Sequence, residues 1–315
     1  MKITFKKRPI YGAPTAVLHH LYYYTVQYGL SVKQFTGAHW KYWDKLAERL
    51  RNVQYTPEEL ETIIEELEKL ALGSEQRLKV RRSQLKEGKW AEKEIVINAQ
   101  LLSVLSALPN DFLALGFMNL ARTMDLPDHL EIVDLHIEGK RGEDIDFVEP
   151  DLLLLGDRHL LMVEVKTRGG ADSSRTYPPH QLLNYLRLVL ECKNSSDASL
   201  PRDFTHFMLV PSTDPKWLEN HSEWVLEICH EDGQLKLSPS ALIKSAKKKP
   251  GYNYEQLKIL AGQVPIYYRS WNQLHESFRK AAEEFGDYRN HTHWEKIVQE
   301  IGELTQIAGK YAQNR

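Results

Sequence analysis

Three side chains in one apolar stretch have the right types and spacing for chemistry. The stretch runs Phe147-Val-Glu-Pro-Asp-Leu-Leu-Leu-Leu-Gly-Asp-Arg-His-Leu-Leu-Met-Val-Glu-Val-Lys166. Asp151 opens an apolar run to Leu155, Gly156-Asp157-Arg158 is a turn, and His159 to Lys166 is a second run. Both runs are short, apolar and bounded by Pro150 and by Gly169-Gly170, which predicts a β-hairpin. Glu164 and Lys166 are two residues apart and share one face of their strand. The hairpin can carry Asp151 to the same place. Two carboxylates and an ammonium would then meet in greasy surroundings. A buried charge has to be paired or bind a metal, and two adjacent carboxylates repel unless a cation lies between them. Oxygen ligands of this kind suit Mg²⁺, which keeps several waters and takes one or two carboxylates. A lysine beside a metal-bound water can hold or activate a nucleophile, and such a set could cleave a phosphodiester. The bland alternative is a turn-capping Asp151 and a solvated Glu164–Lys166 pair on an edge strand.

Read together, Pro150-Asp151 and Glu164-Val165-Lys166 resemble the signature of the PD-(D/E)xK nuclease superfamily. Gln181-Leu-Leu-Asn-Tyr185 resembles the QxxxY motif of its RecB-like branch. Gln181 and Tyr185 are i and i+4 on a helix that starts after Pro178-Pro179. The resemblance spans roughly residues 90 to 275. It implies an α/β, restriction-endonuclease-like core, a mixed sheet flanked by helices. It also implies Mg²⁺, with Mn²⁺ as a substitute, held by Asp151, Glu164, the Val165 backbone carbonyl and an acid on the preceding helix. Lys166 would position or activate water, Gln181 would orient Lys166 or substrate, and Tyr185 would sit behind it or touch phosphate. Glu92 and Glu94 both qualify as the helix acid. Glu94 heads the apolar stripe Ile97, Leu101, Leu102 and Leu105, so Glu94 is preferred. The competing view makes both first-turn acids favoured by the helix dipole.

Composition narrows the class. Hydrophobic residues are 42% and charged residues 27%, an ordinary globular balance. No apolar run approaches the ~20 residues that span a bilayer. The N-terminal Met1-Lys-Ile-Thr-Phe-Lys-Lys-Arg8 has no signal-peptide core, and Cys192 and Cys229 make neither a disulfide framework nor a zinc site. The expectation is a cytoplasmic protein without membrane contact. Formal net charge is −2, so a nucleic-acid ligand requires a local basic face. Candidates are Arg77 to Lys93, Arg168 and Arg175 in the loop after Lys166, and Lys247-Lys-Lys249.

The elements that must position these residues divide the chain in three. Residues 1–85 read as a helical N-terminal extension, with a capping box at Thr56-Pro-Glu-Glu59. It would be a lid on the core, or a contact for DNA, a second copy or a protein partner. Residues 86–290 are the expected nuclease core. It holds a helix from Glu94 to Leu108, a strand from Leu130 to Ile137, the hairpin, a helix from Pro179 to Cys192 and a strand from Phe204 to Val210. A second hairpin (Trp224–Ile228 with Gln234–Leu237), a strand from Val264 to Tyr268 and a helix from Trp271 to Glu284 follow. Residues 291–315 form a C-terminal helix, and His291 and His293 at its start are read as incidental. The expected activity is a metal-dependent nuclease, most readily a deoxyribonuclease, of restriction, phage defence or repair. The alternative is a non-catalytic nucleic-acid-binding or assembly module of the same fold.

Overall fold

The computed structural model describes residues 2–6, 98, 101–102, 104–105, 108–138, 150–166, 179–210, 225–228, 234–245, 253–285 and 291–313. The elements in chain order are β1 (Lys2–Lys6), α1 (Asn110–Ala121), β2 (Glu131–Ile132), β3 (Asp134–Glu138), β4 (Leu152–Gly156), β5 (His159–Val165), α2 (Pro179–Asn194), β6 (Asp203–Val210), β7 (Val225–Ile228), β8 (Leu235–Leu237), α3 (Pro239–Ser245), α4 (Tyr254–Ala261), β9 (Ile266–Ser270), α5 (Trp271–Glu284) and α6 (His291–Gln313). Among the described residues no helix is long and apolar enough to cross a membrane.

A five-stranded mixed sheet, ordered β2-β4-β5-β6-β9, forms the centre. β2, β4 and β5 pair antiparallel, and β5, β6 and β9 pair parallel. The parallel β5–β6 step needs a crossover, which α2 supplies. The central strands are apolar on both sides because both faces are covered. Leu161, Val163, Val165, Phe207 and Leu209 face a layer containing α1, α5 and α6. Leu160, Met162, Phe204, Met208 and Val210 face α2, α3 and α4. The result is an α/β sandwich with helices on both faces, as the sequence leads one to expect. In the hairpin Leu152 pairs with Val163 and Gly156 with His159. Asp157 turns the chain at φ 34°, a left-handed conformation that Asp tolerates better than most residues.

Several elements differ from the sequence reading. Leu130 to Ile137 is not one core strand. Glu131 and Ile132 pair with β4, the Val133 N–H donates to the Leu153 carbonyl (3.0 Å), and the chain then leaves the sheet edge. β3 pairs antiparallel with β1 instead, from Lys2↔Glu138 to Lys6↔Asp134. Lys2–Lys6 is therefore a strand, although the sequence places it in a helical extension. The alternation Lys-Ile-Thr-Phe-Lys suits a ribbon covered on one side, and Ile3 and Phe5 lie against the α2 layer. The rest of residues 1–85 lies outside the described residues.

Helix α1 is absent from the sequence reading. It has no side-chain N-cap hydrogen bond and contains Gly116. Its buried set, including Phe112, Phe117 and Leu120, leaves little amphipathic contrast. Gly116 is required by close packing: a Cβ there would lie 2.6 Å from the Phe278 ring on α5. The carbonyl end of α1 is held by Arg269 of β9, only 1% exposed. Its guanidinium donates to the carbonyls of Leu120 (2.5 Å) and Ala121 (3.1 Å). Helix C-termini leave such carbonyls unpaired and carry partial negative charge, so the buried cation meets its complement. α3 and α4 are further short helices that the sequence reading omits. Their small apolar sets, such as Leu242 and Ile243 on α3, become a core face only against α2. The predicted C-terminal strand is displaced by two residues and runs straight into α5 at Ser270. That serine closes a capping box with Gln273.

Candidate active site

The site lies at the carboxyl end of β5, on the face covered by α2. Strand parity directs Leu160, Met162, Glu164 and Lys166 to that face, and Gln181 and Tyr185 meet them from the first turns of α2. Continuing the β4–β5 register by one residue sets Asp151 opposite Glu164, so both carboxylates belong to the same face. The structure brings Asp151, Glu164, Lys166, Gln181 and Tyr185 together.

Glu164 is the hub. It is 3% exposed and Lys166 is 7% exposed. The Lys166 ammonium donates to Glu164 Oε1 at 2.5 Å. Gln181 Nε2 donates to the same oxygen at 3.3 Å, and the Tyr185 hydroxyl donates to Glu164 Oε2. A buried ion pair is tolerable when hydrogen bonds satisfy its remaining lone pairs, and the tyrosine and glutamine do this. Asp151 is half-buried, and its Oδ2 accepts from the Val165 N–H at 2.7 Å. The Val165 side chain is packed in the opposite layer, as parity requires, while its backbone stays at the site.

The Lys166 backbone is fixed as firmly as its side chain. Its N–H donates to the Leu209 carbonyl of β6 (2.8 Å), and its carbonyl accepts from the Trp271 indole Nε1 (3.0 Å). Trp271 begins α5, more than a hundred residues later, and nothing local in the sequence announces the contact. A second residue missed by the sequence reading is His206 of β6. Its ring lies 5.3 Å from that of Tyr185, centroid to centroid. Burial pushes its imidazole down to about 3, against the smaller opposing effect of a backbone hydrogen bond at Met162. His206 is therefore a neutral packing partner behind the tyrosine.

A hard cation at this site would draw on Asp151 and Glu164. Oxygen donors from two adjacent strands fit Mg²⁺, which keeps water for its remaining positions. Among the described residues, no group of three or more His, Cys, Asp or Glu could hold a metal ion. The proposed third acid, Glu94, lies outside the described residues, as does Glu92. Downstream of them Asn98 and Leu101, Leu102, Val104 and Leu105 are helical and buried. The basic candidates Arg77 to Lys93, Arg168, Arg175 and Lys247 to Lys249 also lie outside the described residues. Comparison with protein-family models, curated proteins and solved structures yields no match to this chain.

Proposed function

We propose that this chain is a metal-dependent nuclease of the restriction-endonuclease-like type, hydrolysing phosphodiester bonds in DNA. The observation that carries the reading is the buried cluster at the end of β5. One acid comes from each strand of the hairpin, with an ammonium two residues from the second acid and a glutamine and tyrosine from α2 closing it. A fold has little use for an ion pair this deeply buried unless it serves a purpose, because apolar residues of similar size stabilise as well or better. In this reading Asp151, Glu164 and the Val165 carbonyl hold Mg²⁺ or Mn²⁺, with Glu94 of the preceding helix as a further ligand. A bound divalent cation supplies charge stabilisation and a more acidic water. Lys166 holds the attacking water, Gln181 orients Lys166, and Tyr185 fixes the carboxylate. DNA would follow the basic stretches flanking the site, and a cytoplasmic role in restriction, phage defence or repair fits this assignment.

A second reading has one observation in its favour. Glu164 already receives donors from Lys166, Gln181 and Tyr185, as expected of a structural polar knot in a non-catalytic binding module. The experiment that separates the two is cleavage of plasmid and single-stranded DNA with Mg²⁺ or Mn²⁺, beside Asp151→Ala. Metal-dependent cleavage lost in the variant is the expected result. Absence of cleavage by the wild-type protein with either metal, or equal cleavage by Asp151→Ala, refutes the nuclease assignment.

A further inference from the structure

We propose that the Lys166 ammonium is the resident counter-cation of Glu164, and that a divalent cation ligated through Glu164 Oε1 binds by displacing it. The inference deepens the proposed metal-dependent function and rests on it. Three features of the cluster carry it.

First, Lys166 Nζ lies 2.5 Å from Glu164 Oε1, and both residues are almost wholly buried. A carboxylate in that position needs a positive partner, and this one has it in the same strand. Second, the oxygens of Glu164 are engaged. Oε1 accepts from Lys166 and Gln181, which matches its two lone pairs, and Oε2 accepts from Tyr185. An ion ligated through Oε1 must take the place of a donor. Of the donors, the ammonium is the one whose charge repels a dication at close range. Third, the cluster contains an acceptor suited to a displaced ammonium. A carboxylate only accepts hydrogen bonds, so Gln181 must turn its NH₂ toward Glu164 and its Oε1 away. That Oε1 is buried and has no hydrogen-bond partner among the described residues. Lys166 and the Gln181 amide share one carboxylate oxygen, so the amide belongs to the same cluster as the ammonium. The site then has two states with the same carboxylate. In one, lysine neutralises Glu164; in the other, the metal neutralises Glu164 and lysine donates to Gln181, released to serve the water.

The test is calorimetric titration of Mn²⁺ into the full chain as wild type, Lys166→Met and Lys166→Arg, with circular dichroism on each. Lys166→Met keeps the length and removes the charge, so it should bind Mn²⁺ about tenfold or more tightly than wild type, from the loss of repulsion and of the competing ion pair. Lys166→Arg keeps the charge and should not tighten binding. If metal-free Lys166→Met is unfolded, Mn²⁺ should fold it, because the ion replaces the missing counter-charge. Wild-type binding with equal or weaker binding by Lys166→Met overturns the exchange, as does a Lys166→Met protein that stays unfolded at Mn²⁺ concentrations saturating the wild type. Those outcomes leave the nuclease assignment standing if plasmid cleavage is observed. Tightened binding by Lys166→Met without cleavage by wild type sinks the nuclease assignment and supports the exchange. No Mn²⁺ binding by wild type or by Lys166→Met refutes both.

Discussion

Tyr185→Phe is the most economical perturbation of the cluster, because it deletes one hydroxyl and leaves the ring. Tyr185 is 1% exposed and Glu164 is 3% exposed, so bulk solvent has little access to the acceptor that loses its donor. The ring keeps its contact with His206 and its place among Leu182, Leu186 and Val189. What changes is Glu164 Oε2, which loses the donation from the phenol. A hydrogen bond to a charged acceptor contributes about 1.5–3 kcal/mol, and a buried acceptor left without it carries a desolvation cost of the same order. Tyr185→Phe should therefore lower metal-free stability by about 2 kcal/mol. Urea unfolding in the presence of a chelator measures this, read as a fall in midpoint at unchanged slope. A double-mutant cycle with Glu164→Ala isolates the pair. The coupling energy should be about 1.5–3 kcal/mol, since the two groups are in direct contact. A Tyr185→Phe protein within about 0.5 kcal/mol of wild type, or a cycle that closes near zero, would refute the argument that the tyrosine holds the carboxylate.

Two further outcomes follow from packing and burial. Gly116→Ala should destabilise by about 1–3 kcal/mol, because its Cβ would lie 2.6 Å from the Phe278 ring, and Phe278→Leu should recover part of the loss; thermal unfolding of the single and double variants checks both. His206 binds a proton in the unfolded chain near pH 6.5 but in the folded chain only near pH 3. Between these values the unfolded state holds more protons, so stability is complete above about pH 6.5 and falls as pH drops toward 3, by about 2 kcal/mol from pH 6.5 to 5. His159, also pushed down chiefly by burial, acts in the same direction. Unfolding across that pH range should flatten in a His206→Gln variant; an unchanged profile would contradict the burial argument.

How much could be read in advance depends on how far apart the partners lie. The hairpin was legible because its strands, turn and polar exceptions are contiguous, and a two-residue period places Glu164 and Lys166 on one face. The i, i+4 pair on α2 was legible for the same reason. Meeting of the two depends on the β5–α2–β6 crossover, which alternating elements suggest but do not fix. Arg269, by contrast, reads as a lone charge in a strand. Its partners are the carbonyls of α1, nearly 150 residues upstream, and backbone acceptors leave no mark in a sequence. The split of Leu130–Ile137 escaped for a related reason: which strand pairs with β3 depends on where Lys2–Lys6 comes to rest.

The end of β5 is held from four directions, which explains why so distant a residue as Trp271 belongs with the site. The β6 carbonyl of Leu209 takes the Lys166 N–H, the Trp271 indole takes its carbonyl, and Glu164 takes its ammonium. The fourth hold is the neighbouring Val165 N–H on Asp151. With both backbone groups of Lys166 anchored, its side chain can move between acceptors without the strand moving. Trp271 also meets α6, where the one Thr305 hydroxyl proton is shared between the Ile301 carbonyl of its own helix (2.9 Å) and the Trp271 carbonyl (3.2 Å). The C-terminal helix thus braces α5, α5 braces the strand end, and the strand end presents the charged pair. In a cluster whose backbone is this constrained, the proposed exchange would require only the lysine side chain to move, and not the scaffold.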